Sequence, residues 1–288
     1  MASTVASLAE NVISVRDLTF SYPGTAAPIL RNVNLEVRRG EFIALLGSNG
    51  AGKTTLAKHF NGLHAPTSGQ VLLHGRPTTE LGLRELAKVV GYCYQNPDHQ
   101  IFSSSVENEV KFGPRNLGLT GEVLASRVSE ALAVVGLTEF AASNPFVLGR
   151  GRRQLLAVAS ILAMDPELLV VDEPTTGLDL SGAQQIMRVL ARWHEEGRTM
   201  VVITHDMDLV VEYTTRCVVM ADGEIIDDGP TQEVLRHYDT MRAAGLEEPA
   251  VVTISDRLSR FGSAHCKSIA NVVTDVAARM EAQHAGRL

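Results

Sequence analysis

The sequence predicts an α/β fold organised around a parallel sheet covered on both faces. Three short apolar runs point to it: Phe42–Leu46, Leu168–Val171 and Thr199–Ile203, each followed by polar or glycine-rich residues and then by helical composition. Continuous apolar runs of four or five residues suit strands buried on both sides. Strands alternating with helices imply parallel order, and ligand chemistry then collects outside the C-terminal ends of the strands.

Taken in order, Ile13, Val15, Leu18 and Phe20, then Leu30, Val33, Leu35 and Val37, recur near strand spacing, with the turn residues Pro23 and Gly24 between them. A short antiparallel sheet is expected there. Phe42–Leu46 runs into a glycine-rich loop and a helix containing Leu56 and Phe60, and Val89–Tyr94 is again strand-like. From about 96 to 164 the composition turns helical, notably over Val123–Val135 and Arg152–Met164, so a helical subdomain is expected between core strands. Leu168–Val171 leads into Asp172-Glu173-Pro174 and a helix over Ser181–Glu195, and Thr199–Ile203 leads into His205-Asp206 and another helix. A helical extension is expected toward the C-terminal end. In that extension Ile269, Val272, Val273, Val276 and Met280 form an amphipathic stripe. The stripe suits packing on its own domain or contact with a second subunit. A membrane surface fits less well, because the polar face carries Asp275 and Glu281 beside Lys267 and Arg279.

Composition narrows the function classes. The 288 residues carry 26 Lys+Arg against 33 Asp+Glu, a net charge of −7, so nucleic acid is not an expected partner. Cys93, Cys217 and Cys266 are odd in number and widely spaced, which fits a reducing compartment better than a disulfide framework or a zinc site. Every apolar run falls short of the roughly 18 residues of a membrane span, and the first residues lack the basic and apolar regions of an export signal.

The loop Gly47-Ser48-Asn49-Gly50-Ala51-Gly52-Lys53-Thr54 fits G-x-x-x-x-G-K-[ST], between the strand and the helix that the motif requires. Glycines let backbone N–H groups wrap phosphates, and the helix N-terminus adds positive potential. Lys53 offers an ammonium to the β and γ phosphates, Thr54 a hydroxyl to Mg²⁺, and Thr55 follows on the same helix end. ATP or GTP binding is therefore expected on a P-loop NTPase fold. Asp172, ending an apolar strand, is the candidate Mg²⁺ ligand, and Glu173 the candidate for polarising the attacking water. His205 ends another strand and could reach the γ-phosphate, and the Gln95 amide could sense both phosphate and Mg²⁺.

With these residues in place the sequence resembles the ATP-binding-cassette ATPases over roughly 12–238. The resemblance rests on Tyr22 in FSYPG, GSNGAGKT, Gln95, a signature segment, LLVVDEP, TTGLD containing Asp179, and ITHD with His205. It implies that the family core is complete by about Gly245, giving one domain over 1–245 and a C-terminal helical extension over 246–288, that adenine stacks on Tyr22 and that ATP is hydrolysed with Mg²⁺. It also implies that two subunits pair, with Gly149, Gly151 and Asp179 of one completing the nucleotide site of the other. The signature departs from the family's LSGGQ: it reads Leu148-Gly149-Arg150-Gly151-Arg152, so Gly149 stands for the serine and Arg152 for the glutamine. This puts hydrolysis at the opposite site in doubt.

QNPDHQIF, SSVENEVKFGPRNLGL and GRGRRQLLAVASILAMDP narrow the resemblance to the ATPase subunits of energy-coupling-factor importers of vitamins or transition-metal ions. Such subunits work in pairs at the cytoplasmic face of the membrane, peripherally, beneath a membrane coupling protein and a substrate-binding membrane protein. The resemblance implies that Asp98, Glu107 and Glu109 dock the coupling protein, a solvated acidic face being the alternative. A regulatory nucleotide-binding subunit with weak hydrolysis is the competing reading. Chromosome- or repair-type ATPases would need a long heptad insertion, which is absent.

Overall fold

The computed structural model describes residues 10–25, 27–259 and 271–278. Its first half contains β1 (Asn11–Phe20), β2 (Leu30–Arg38), β3 (Phe42–Leu46), α1 (Lys53–Phe60), β4 (Ser68–Leu73), β5 (Arg76–Pro77), α2 (Leu83–Val89) and β6 (Val90–Cys93). A helical stretch follows: α3 (Val106–Asn116), α4 (Gly121–Val134) and α5 (Arg150–Leu162). The chain then forms β7 (Leu168–Asp172), α6 (Leu180–Glu195), β8 (Thr199–Ile203), α7 (Met207–Tyr213), β9 (Arg216–Ala221), β10 (Glu224–Pro230), α8 (Thr231–Val234), α9 (Tyr238–Ala243) and α10 (Ala250–Ser259).

Two sheets share the core. The antiparallel sheet expected near the start runs β2-β1-β4-β5, with Val15 opposite both Leu35 and Val71. The second runs β10-β9-β3-β8-β7-β6 and is parallel except for the pair β9 and β10. Side chains alternate across a strand, and the burial follows that period. Phe42, Ala44 and Leu46 of β3 join one apolar cluster with α3–α6, while Ile43 and Leu45 join the other, against the antiparallel sheet. Leu169 and Val171 against Leu168 and Val170 repeat the division on β7. Both faces are covered, which is why these strands read as unbroken apolar runs.

The sheet order positions the chemistry. β3, β8 and β7 are adjacent, and Asp172 lies opposite Ile203. The loop after β3, the residues after β8 and those after β7 therefore emerge side by side.

Helix ends differ from expectation by about two residues: α4 begins at Gly121 and α5 at Arg150. α3 has no counterpart among the helices read from the sequence. It carries Gly113 and Pro114, which break a helical pattern. The glycine has a packing reason, because a Cβ there would lie 2.6 Å from Sδ of Met164. The sequence pattern does not distinguish β9 and β10 either.

Beyond Gly245, Val251, Val252 and Val272 pack into the same cluster as α5 and α6, and Val276 packs against it. Residues 271–278 are helical, with Val273 exposed. Ile269, Met280, Lys267, Arg279, Glu281 and Cys266 lie outside the described residues. Cys93 and Cys217 are buried free thiols whose pKa values burial pushes up to about 12 and about 11, which leaves them unreactive. Among the described residues no helix is long and apolar enough to cross a membrane.

Candidate active site

The loop Gly47–Gly52 turns sharply between β3 and α1. Gly47, at φ 145°, is held against the backbone of Met220 on β9, where a Cβ would overlap the Met220 carbonyl oxygen. Gly52, at φ 100°, caps α1 with no side-chain hydrogen bond, and a Cβ there would lie 2.7 Å from Cδ2 of Leu30. The first N–H groups of α1 thus lack side-chain caps, as an anion cradle requires. Lys53 Nζ donates to the carbonyls of Gly47 at 2.8 Å and Ser48 at 2.9 Å. Burial lowers the Lys53 pKa, against the pull of Glu173 and Asp172.

Asn49, Gly50, Gly52, Lys53, Thr54, Thr55, Gln95, Asp172 and Glu173 line one cleft of about 270 Å³, together with Ile29 and Ile203. Thr54 Oγ1 donates to Oδ2 of Asp172 at 2.8 Å, and Tyr92 Oη donates to the same oxygen at 2.9 Å. Burial raises the Asp172 pKa, offset in part by these two donors. A buried carboxylate beside a threonine hydroxyl is a hard-oxygen pair that a divalent cation would stabilise. Among the described residues no group of three or more His, Cys, Asp or Glu forms a metal cage. A Mg²⁺ ion here would draw its other oxygens from phosphate and water, as Mg²⁺ usually does.

Glu173 adopts the left-handed region at φ 47°, uncommon for a non-glycine residue. Its carboxylate accepts from Thr176 Oγ1 at 2.9 Å and faces Nδ1 of His205. His205 does not line the phosphate cleft. Its side chain is largely exposed and reaches the site through Glu173.

Tyr22 stands at the edge of the site, its hydroxyl 3.3 Å from Thr55 Oγ1. The signature lies elsewhere. Gly149 caps α5, Gly151 packs near Leu178, and Asp179 caps α6 by accepting from Gly182 N at 2.9 Å, so a single chain does not bring these three to the phosphate loop. The guanidinium of Arg150 lies across Gly177, 2.9 Å from where a Cβ would stand. Arg152 covers the Phe140 ring at 4.4 Å, and Arg153 Nε pairs with Asp98 at 2.8 Å.

The acidic docking set needs correction. Glu109 is buried, and its Oε2 accepts from the backbone N–H of Phe102 at 3.1 Å and Ser103 at 2.8 Å, so it holds a loop and faces no partner. Asp98 and Glu107 are both exposed, paired with Arg153 and Lys111 respectively, so they remain as the surface members of the set. What the sequence did not reveal is an apolar groove of about 420 Å³ lined by Leu83, Phe102, Phe112, Ile161 and Met164, with Leu83, Phe102 and Phe112 exposed. Phe102 and Phe112 sit ten residues apart, in different segments of the sequence. Only the fold brings their rings together, edge to face with centroids 4.8 Å apart.

A family model described as ABC transporter matches residues 30–176, from β2 through the loop after β7. The chain belongs to the ABC transporter ATPases. A second model, an AAA domain described as a putative AbiEii toxin, matches the shorter segment 141–212. This ATPase is 44% identical over 252 residues to the energy-coupling factor transporter ATP-binding protein EcfA of Methanocaldococcus jannaschii, covering 86% of the chain and 90% of that protein. It is 45% identical over 250 residues to a putative ABC transporter ATP-binding protein of Caldanaerobacter subterraneus, but spans only 44% of that relative's length. Among solved structures it is similar to cbiO1 of Clostridium perfringens, part of the ABC transporter complex cbiONQ, with TM-score 0.74, 34% identity and coverage of 88% and 98%. A dimeric cassette in a post-hydrolysis state bound to ADP and Pi is similar at TM-score 0.69 and 29% identity, covering 76% of this chain and 98% of that one.

Proposed function

We propose that this ABC ATPase is the ATP-hydrolysing subunit of an energy-coupling-factor importer for a vitamin or a transition-metal ion. The observation that carries hydrolysis is the cleft that joins Lys53, Thr54, Asp172 and Glu173, with Glu173 backed by His205. The likeness to EcfA and cbiO1 supports the transporter type.

In this reading the N–H groups of Gly47–Thr54 and the Lys53 ammonium hold the ATP phosphates. Adenine stacks on Tyr22. Thr54 and Asp172 would hold Mg²⁺, with Gln95 lining the same cleft. When bound, Mg²⁺ neutralises charge on the β and γ phosphates. Glu173 orients a water in line with the γ-phosphorus and takes its proton as the new P–O bond forms and the bond to the ADP oxygen breaks. His205 keeps the Glu173 carboxylate aimed. A second subunit places Gly149, Gly151 and Asp179 against the nucleotide, which fits their position on the helix ends of α5 and α6, away from the cleft.

The apolar groove suits a helix of a membrane coupling protein better than the acidic face does. Gln100 lines the groove and donates to Ala157 O at 2.8 Å. It also accepts at 3.2 Å from the N–H of Tyr94, the residue directly before Gln95. Pressure in the groove would thereby reach the cleft. Affinity purification of the chain from native membranes tests the assembly. A membrane-spanning coupling protein should co-purify and be lost in Phe102→Asp; recovery of the ATPase alone would contradict the reading.

Two observations favour the alternative of a weakly hydrolysing regulatory subunit: Gly149 offers no hydroxyl, and Arg150 is folded onto Gly177. ATP turnover by the chain alone and with a related ATPase subunit distinguishes the two.

A further inference from the structure

His64, in the segment between α1 and β4, belongs to none of the motifs. Its Nε2 lies 3.3 Å from the hydroxyl of Tyr22, which is also 3.3 Å from Thr55 Oγ1. The His64 ring stacks on Phe20, with centroids 5.0 Å apart and planes at 24°, and meets the Tyr22 ring edge-on at 5.4 Å. Phe20 meets Tyr22 edge-on as well, at 5.0 Å. Tyr22 is therefore held at its hydroxyl by Thr55 and His64, and at its ring by Phe20 and His64. Burial lowers the His64 pKa and so favours the neutral imidazole, the form with a nitrogen free to accept from the tyrosine.

A side chain of this size, free to rotate, loses entropy when a ligand immobilises it, and fixing it beforehand removes that loss. We propose that His64 is a positioning residue for the base end of the nucleotide site: with Phe20 it fixes the Tyr22 ring for stacking, and so raises ATP affinity without touching the nucleotide. The proposal rests on the reading of Tyr22 as the adenine platform.

The test measures binding of ATP and of tripolyphosphate, which has the phosphates without the base, to the full chain and its variants. His64→Ala should weaken ATP about fivefold, the equivalent of one modest hydrogen bond, while tripolyphosphate binding stays unchanged. His64→Gln, which keeps a polar atom for the Tyr22 hydroxyl, should recover part of the loss. In a Tyr22→Ala background, His64→Ala should add nothing. Equal weakening of ATP and tripolyphosphate would overturn the proposal, since it would mean a general disturbance of α1. A normal ATP affinity in His64→Ala, alongside a weakened one in Tyr22→Ala, would overturn the positioning role and leave the platform standing. An unchanged ATP affinity in Tyr22→Ala would overturn both.

Discussion

Nδ1 of His205 lies 2.8 Å from Oε2 and 3.1 Å from Oε1 of Glu173, so the residue after β8 is latched to the residue after β7. The latch joins the two groups that the sequence singled out separately for catalysis. In the proposed mechanism His205 aims a carboxylate whose backbone is already held at φ 47°. His205→Ala should lower phosphate release about 100-fold or more, the scale of general acid–base catalysis, while equilibrium ATP binding persists. Turnover within twofold of the parent would remove His205 from the mechanism.

Glu109 and Glu107 look alike in sequence and differ in the fold. Glu109→Ala leaves two loop N–H groups without their acceptor and should destabilise the protein by about 1–3 kcal/mol. Glu107→Lys, on the exposed face of α3, should change stability by less than about 0.5 kcal/mol. Equal losses in chemical denaturation would contradict the division.

His59 predicts a pH dependence. Its ring is buried, Nδ1 lies 2.7 Å from Thr55 O, Nε2 has no hydrogen-bond partner among the described residues, and burial lowers its pKa to about 4. Unfolded, it takes up a proton near pH 6.5. Between pH 6.5 and 4 the unfolded chain binds the extra proton, so stability from this group is present above pH 6.5 and falls as pH drops through that window, by on the order of 2 kcal/mol. Unfolding free energies at pH 7.5 and pH 5 should therefore differ less in His59→Phe than in the parent.

The signature offers another contrast. Gly149 caps α5 at φ −62° and ψ 158°, and a Cβ there meets nothing within 4 Å. Serine is a preferred residue at that position of a helix. Gly149→Ser should leave stability unchanged within about 0.5 kcal/mol and raise ATP turnover by restoring a hydroxyl. Unchanged turnover would mean that the missing hydroxyl does not limit hydrolysis.

The parts of the site legible in sequence were those written contiguously. GSNGAGKT and LLVVDEP each carry strand, turn and ligand in a few residues, and the strands stand out because both faces are buried. Illegible were features made by packing between distant segments. Glu109 reads as a surface charge until the loop N–H groups of Phe102 and Ser103 are seen to need it. α3 is hidden by Gly113 and Pro114, and the groove forms only when Phe112 is set beside Ile161 of α5 and Met164 just beyond it. His64 carries no motif, and only the return of the chain after α1 brings it to Tyr22.

In the proposed mechanism Glu173 prepares the water that cleaves ATP. Phosphate release and ATP binding by Glu173→Gln, which keeps the shape and removes the base, test it most directly. The expected result is turnover below about 1% of the parent, with ATP bound as tightly as before. Parent-like turnover in Glu173→Gln would remove Glu173 as the base.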